Sequence, residues 1–263
     1  MATDASSKLN RLASVASPGA VLLAGFLEHQ GFSRDLQQHY VRSGWLRRVG
    51  RGAFARTHEA PTWRGALHAL TEQGELPLHV GGRSALALHG RAHYLAVGGG
   101  ADLDLFAPTG ATLPAWFAGG PWDVRPVLHR TAMLPPGLGV EEHVEEKLPV
   151  PAASPERAAL EVLYLLPEAI GPAEARELLE GLVDLRPARV AALLRACTSI
   201  RVKRLFLMLA DRLGHPWLRR VDLAGVDLGR GKRSVAGGGV FVPGHDLAVP
   251  AELLGDLAEA GGG

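Results

Sequence analysis

The chain has 263 residues, 47% of them hydrophobic, which is enough to fill the core of one large domain or two modest ones. Its only cysteine, Cys197, excludes an internal disulfide and a multi-cysteine zinc site, and its longest apolar run is too short to cross a bilayer. The net charge of +1 favours neither an acidic nor a basic partner for the whole chain. We expect a cytoplasmic protein that is neither exported nor inserted in a membrane.

Three short helices are predicted at the start of the chain. Apolar residues recur at helical spacing in the first two, at Leu9, Leu12, Ala13 and Ala16 and then at Leu23, Phe26 and Leu27. Gly31 ends the second helix, and Ser33 is a typical N-cap for a third helix that runs to Ser43. In this third helix we expect Leu36, Tyr40 and Val41 to face the core, and Arg34, Gln37, Gln38 and Arg42 to face outward.

A basic hairpin is predicted directly after the third helix. Two short strands, 45–49 and 53–56, flank the glycine turn Gly50-Arg51-Gly52. Between Ser33 and Arg56 the sequence has six arginines and one acidic residue, so this segment would attract a polyanion. Two helices joined by a glycine turn and followed by a hairpin are the parts of a winged helix-turn-helix. We therefore interpret residues 1–60 as a winged helix-turn-helix DNA-binding domain.

The residue types on this segment suit a duplex groove. Arginine pairs with two acceptors of guanine and glutamine pairs with adenine, so the expected base contacts are Arg34, Gln37 and Gln38. The capping Ser33 is also expected to be a DNA-binding residue. The expected phosphate contacts are Arg42, Arg47, Arg48 and Arg51. An ordinary solvated helix face would explain the third helix alone, but the basic hairpin adds to the same surface and favours DNA binding.

Residues 61–263 are predicted to form a larger mixed domain, giving an α+β fold overall. Residues 61–150 contain strands at 78–80, 102–106 and 122–127 and a helix at 84–89. Residues 151–215 are predicted to form a helical layer of four helices. The first helix has Ser154 as its N-cap and Pro155 as its first helical residue. The last helix, near 200–213, is apolar nearly all round. A strand-rich tail follows over 221–250, with strands at 240–242 and 247–249.

Several segments together resemble one protein family. These are SGWLRRVGRGAF at 43–54, GGRSALALHG at 81–90, SPERA at 154–158 and the basic stretches 202–207 and 228–233. Their order along the chain is similar to that in the AbiEi family, the antitoxins of type IV toxin-antitoxin systems that act in abortive phage infection.

The resemblance implies a two-domain antitoxin that is also a transcriptional repressor. The winged domain would bind double-stranded operator DNA at inverted repeats in the promoter of its own operon. The C-terminal domain would oppose a nucleotidyltransferase-like toxin, and the two proteins need not form a stable complex. Candidate residues for the antitoxin function are Arg83, Arg157, Arg201, Lys203, Arg204, Lys232 and Arg233. The alternative to a role in antitoxin function is that the aliphatic parts of these basic side chains pack over a buried helix while their charged ends reach solvent.

No catalytic, metal-binding or cofactor-binding residues are predicted. An alternative is a nuclease-like C-terminal domain that uses Asp102, Asp104 and the Glu145-Glu146-Lys147 segment to hold Mg²⁺. A solvent-facing strand followed by a charged loop explains the same residues and is the favoured interpretation. A third hypothesis is a winged helix that binds only proteins.

Overall fold

From residue 17 onward, the N-terminal part folds as two short helices and a three-stranded sheet. The computed structural model describes residue 12 and residues 17–91, 100–145, 148–235 and 239–255. Strand β1 (Leu22–Leu23) is followed by helices α1 (Ala24–His29) and α2 (Arg34–Arg42) and by strands β2 (Leu46–Gly50) and β3 (Ala53–Arg56). The sheet is antiparallel in the order β1-β3-β2. The second and third predicted helices and the hairpin are confirmed, whereas β1 was not predicted.

Local signals set the ends of these helices. The Ser33 hydroxyl accepts a hydrogen bond from the Leu36 amide at 3.3 Å and so caps α2. Gly31 has a φ of 85° in the turn between the helices, a conformation that favours glycine because it has no Cβ. Of the first predicted helix, only Leu12 is described, and it is helical and buried; the other positions of that helix lie outside the described residues.

Two apolar clusters divide the core. The smaller one lies within the N-terminal part and consists of Leu12, Leu22, Leu27, Phe32, Tyr40, Leu46 and Phe54. Contacts also join this part to the rest of the chain. The Gln73 side chain accepts from the Leu23 amide at 2.8 Å and donates to the Val21 carbonyl at 3.1 Å. The N-terminal part therefore packs directly on the larger body.

The body contains a five-stranded mixed sheet. Its strands are β4 (His79–Val80), β5 (Ala101–Ala107), β6 (Val124–Arg130), β7 (Val140–Glu145) and β8 (Leu148–Ala153), in the order β6-β5-β4-β8-β7. The pairs β5-β6 and β4-β8 are parallel, and the other pairs are antiparallel. The described residues of this part also form the short α-helices α3 (Trp63–His68), α4 (Gly82–Leu88) and α5 (Ala115–Ala118). The strands near 78, 102 and 122 and the helix near 84 were predicted, whereas β7 and β8 were not.

The predicted helical layer is confirmed. Its helices are α6 (Pro155–Tyr164), α7 (Pro172–Glu180), α8 (Pro187–Ala196) and α9 (Ile200–Arg212). Residues 202–210 of α9 are all buried, the apolar stretch 205–210 as predicted and the charged Lys203 and Arg204 with it. The tail forms a small sheet of β9 (Arg233–Ser234), β10 (Val240–Val242) and β11 (Leu247–Val249), in the order β10-β11-β9. This mixed α/β structure is consistent with the expected α+β class.

Among the described residues, no helix has the length and apolar character that a membrane crossing requires.

Candidate nucleic-acid interface

Helix α2 and the hairpin present exposed arginines. Arg34, Arg42, Arg48 and Arg51 are all exposed, and Arg47 is half-buried with its guanidinium donating to the Glu59 carbonyl at 3.3 Å. Arg34 forms an ion pair with Glu28. Exposed arginines with long, extended side chains can reach phosphate oxygens or base edges.

One contact joins the helix to the hairpin. The Arg48 Nη2 atom on β2 donates to the Gln38 Oε1 atom on α2 at 2.5 Å. Arg34, Gln38 and Arg42 are spaced four residues apart, so they follow one stripe of the helix surface. The Arg48 contact therefore places the hairpin beside that stripe, and the two elements form one continuous polar surface.

Gln37 does not belong to this surface. Its side chain is buried, and its Nε2 atom donates to the carbonyls of Ala24 at 3.1 Å and Phe32 at 2.9 Å. The expectation that Gln37 faces outward is wrong, because it lies three residues before the buried Tyr40 and shares its inward face. Gln37 joins α1 to α2, so Gln38 is the glutamine of the outward stripe.

An exposed aromatic residue that was not among the predicted site residues lies next to this surface. Trp45 is 51% exposed and lies between the end of α2 and the start of β2. The position of Trp45 between the arginines of α2 and those of β2 was the available sequence signal.

The second basic group, in the C-terminal part, does not form one surface. Arg157, Lys203 and Arg204 are buried, and the Arg204 guanidinium donates to four backbone carbonyls, those of Leu228, Gly229, Gly231 and Asp246. Arg201 donates to the carbonyls of Tyr164 and Leu166, at the end of α6. Lys232 and Arg233 are exposed, and the Lys232 ammonium lies 4.8 Å from the centre of the Phe241 ring. Most of this group therefore holds the tail and the helices in place.

Arg83 ties helix α4 to strand β5. Its guanidinium contacts Asp104 at 3.0 Å and Asp102 at 3.2 Å, and Asp104 also contacts His129 Nε2 at 2.8 Å. Asp104 is 1% exposed, so the interpretation of a solvent-facing strand is wrong at this position. The sequence could not show that α4 covers this face of the sheet. A hydrogen bond from Arg125 lowers the pKa of Asp102.

Of the acidic residues of the nuclease alternative, Asp102 and Asp104 both contact Arg83, but Glu145 lies apart from them. Asp104 lies on β5 and Glu145 on β7, with β4 and β8 between those strands. Glu146 and Lys147 lie outside the described residues. Within the described part of the chain, no group of three or more histidine, cysteine, aspartate or glutamate side chains could hold a metal ion.

A buried carboxylate lies under the GGRSALALHG segment. Glu161 on α6 is fully buried and accepts from His79 Nε2 at 2.8 Å, from Arg157 Nε at 2.7 Å and from the Gly82 amide at 3.0 Å. Burial raises the pKa of the Glu161 carboxyl, but the charges and hydrogen bonds of His79 and Arg157 outweigh it and lower the pKa overall. A Cβ on Gly81 would lie 2.3 Å from the Glu161 Oε2 atom, so this turn needs glycine.

Two family models match consecutive parts of the chain and meet near residue 100, well beyond the boundary at residue 60 that the sequence predicts. Residues 5–97 match the family described as "Transcriptional regulator, AbiEi antitoxin N-terminal domain". Residues 101–250 match "Transcriptional regulator, AbiEi antitoxin, Type IV TA system". The RV2827C protein from Mycobacterium tuberculosis has a similar crystal structure, with a TM-score of 0.59 and 19% sequence identity over 91% of this chain and 90% of that one. At this identity the likeness concerns the fold alone. A search of curated proteins gave no match.

Proposed function

The chain belongs to the AbiEi family of antitoxin transcriptional regulators of type IV toxin-antitoxin systems, and we propose that it represses its own operon by binding operator DNA through α2 and the β2-β3 hairpin. In this proposal, residues 1–60 form a winged helix-turn-helix. Residues 61–263 carry the antitoxin function against a nucleotidyltransferase-like toxin, and the protein acts without enzymatic activity in the cytoplasm.

The contact between Arg48 and Gln38 supports the DNA-binding proposal most strongly. It holds the hairpin arginines beside the outward stripe of α2, so a helix placed in a major groove would bring the hairpin to the adjoining backbone. Arg34 and Gln38 would read base edges, and Arg42, Arg48 and Arg51 would contact phosphates. The half-buried Arg47 is the weakest of the expected phosphate contacts, since its guanidinium is bonded to the Glu59 carbonyl.

Paired half-sites are part of the proposal. An operator with inverted repeats would bind two copies of the chain, because the symmetry of the DNA site mirrors the arrangement of the proteins on it.

The direct test measures binding to the duplex immediately upstream of the chain's own gene. Fluorescence anisotropy should give an affinity that falls steeply with salt, because each neutralised phosphate contributes about 0.9 to the slope of log K against log salt. The double variant Arg48→Ala with Arg51→Ala should weaken binding and reduce that slope by about two. The same variant should also raise the expression of a reporter gene placed downstream of this region, because repression is lost.

A matched control removes two arginines elsewhere. Arg219 and Arg220 are exposed, and they lie in the body after α9. Arg219→Ala with Arg220→Ala changes the net charge by the same amount and should leave affinity and slope unchanged. An equal loss in both double variants would show that the effect comes from net charge, and an unchanged slope in the hairpin variant would refute the proposed surface.

The antitoxin proposal needs a separate readout. When the chain is co-expressed with the toxin of the same operon, it should restore growth. The hairpin variant, Arg48→Ala with Arg51→Ala, should restore growth equally well, since the proposal assigns the two activities to different parts of the chain. Loss of rescue in the hairpin variant would contradict that assignment.

A further inference from the structure

The β2-β3 hairpin packs on both of its faces. Phe54 belongs to the smaller apolar cluster, which it shares with Leu27 of α1 and Tyr40 of α2. Its neighbour Ala53 is buried in the larger apolar cluster, and Val49 also packs against that cluster. Successive side chains of a strand point to opposite faces, so the hairpin lies between the two clusters. The body therefore contacts the strands that carry the hairpin arginines.

A bulge turns the end of β2 toward the body. The pairing with β3 shifts by one residue between Arg48 and Gly50, so Val49 is an extra residue in the ladder. An extra residue bends a strand and changes the direction of the residues beside it. Gly50, which follows the bulge, lies against Trp116 of α5, because a Cβ on Gly50 would come within 2.2 Å of the Trp116 Cβ atom. The tip of the hairpin thus rests on α5.

Trp116 is itself supported by aromatic neighbours in the body. Its ring meets the ring of the buried Phe117 edge-on, with centroids 6.0 Å apart. The Trp122 ring lies 5.9 Å from that of Phe117, and Trp122 Nε1 donates to the Phe117 carbonyl at 2.7 Å. Aromatic pairs and close packing of this kind hold a short element firmly in place. The hairpin tip therefore meets a well-packed support.

From this packing we propose that Trp116 positions the hairpin for DNA binding. Arg51 follows Gly50 directly and Arg48 lies two residues before it, so a shift of the tip would move both expected phosphate contacts. A hairpin that is already held in place loses less conformational freedom when it binds. The half-buried Trp116 acts through the hairpin as a positioning residue. The inference rests on the proposed DNA-binding function and adds that part of the affinity comes from outside residues 1–60.

Anisotropy titrations of the full-length chain with the upstream duplex test this role. Trp116→Ala removes the aromatic ring and leaves the net charge unchanged. It should weaken binding about tenfold and reduce the slope of log K against log salt by about one for each arginine that loses its phosphate. Trp116→Phe keeps an aromatic ring on α5 and should restore most of the affinity.

The outcome for the wild type separates this inference from the proposed function. Unchanged affinity and slope in Trp116→Ala, with a wild type that binds, would overturn the inference and leave the proposed function intact. Absence of binding by the wild type would refute the proposed function, and the inference with it.

Gly50→Ala repeats the test from the hairpin side and decides the outcome if Trp116→Ala fails to fold. Its Cβ would collide with Trp116 and push the tip away from the body, so binding and slope should fall as they do in Trp116→Ala. Gly171→Ala is the control for the substitution itself. Gly171 precedes α7 with a φ of −72°, and a Cβ there meets no atom within 4 Å, so binding should not change.

A second control separates positioning from a general loss of stability. Val190 is buried on α8 in the helical layer, so Val190→Ala should destabilise the body and still bind the duplex like the wild type. Equal losses of affinity in Val190→Ala and Trp116→Ala would show that stability alone is responsible, and would overturn the positioning role.

Discussion

Replacing Glu161 with glutamine should destabilise the body strongly. Three donors converge on this carboxylate, from His79, Arg157 and the Gly82 amide. A glutamine keeps one acceptor oxygen, so its amide nitrogen would face at least one of these donors, and the buried Arg157 would lose its counter-charge. Removing one partner of a buried ion pair costs about 3–5 kcal/mol, because the other charge stays buried without compensation. The free energy of unfolding, measured by urea denaturation, should fall by that amount.

The control is the same substitution in an exposed pair. Glu180 contacts Arg176 at 3.5 Å on the surface of α7. An exposed pair at this helical spacing contributes about 0.3–0.5 kcal/mol, so Glu180→Gln should change the free energy of unfolding by no more than that. A loss below about 1 kcal/mol for Glu161→Gln would refute the argument that the carboxylate holds these elements together.

The pH dependence gives a second check on Glu161. Its pKa in the folded chain lies below the usual value of 4.5, because His79 and Arg157 outweigh the opposing effect of burial. A depressed carboxyl pKa stabilises the folded state above the unfolded pKa, and this contribution disappears as the pH falls through the folded pKa. The difference in stability between the wild type and Glu161→Gln should therefore be full near neutral pH and shrink below about pH 4.5.

Three further substitutions test other contacts. Gly50→Ala places a Cβ 2.2 Å from the Trp116 Cβ, and this overpacking should cost about 1–3 kcal/mol in urea denaturation. Arg204→Met leaves four carbonyls without their donor, so it should cost at least about 3 kcal/mol and speed amide hydrogen exchange over residues 228–246. Gln37→Ala should lower the Tm without changing the preference among operator sequences, because Gln37 is buried and bonded to the backbone. Gln38→Ala should relax that preference and leave the Tm unchanged. Thermal unfolding measures the Tm, and competition binding measures the preference.

The helices were predictable because their signals are local. A capping serine, a proline at the first position and apolar residues three and four apart define α6, and all of these lie within one short stretch of sequence. The same holds for α2, with Ser33 before it and Gly44 after it. The burial of Gln37 could also have been predicted, since it shares its helix face with Tyr40, but its polar side chain suggested an outward position.

The sheet of the body depends on contacts between distant residues. Strand β8 contains Pro149 and Pro151, and proline is normally rare in strands that have neighbours on both sides, so the sequence argued against a strand there. The burial of Asp104 depends on Arg83 from α4 and His129 from β6, which approach it only in the folded chain. Alternation along β5 predicted which residues share a face but not which face is covered.

The segments that carry the family resemblance consist largely of residues that hold the body together. In GGRSALALHG, Gly82 bonds to Glu161, Arg83 bonds to Asp104 and the Ser84 hydroxyl accepts from the Asp104 amide. In SPERA, Arg157 bonds to the same Glu161. Substitutions at these residues would therefore impair the proposed antitoxin function by unfolding the body, so such a loss would not identify the surface that acts against a toxin. A search for that surface should begin with exposed residues such as Lys232 and Arg233, whose replacement leaves these buried bonds intact.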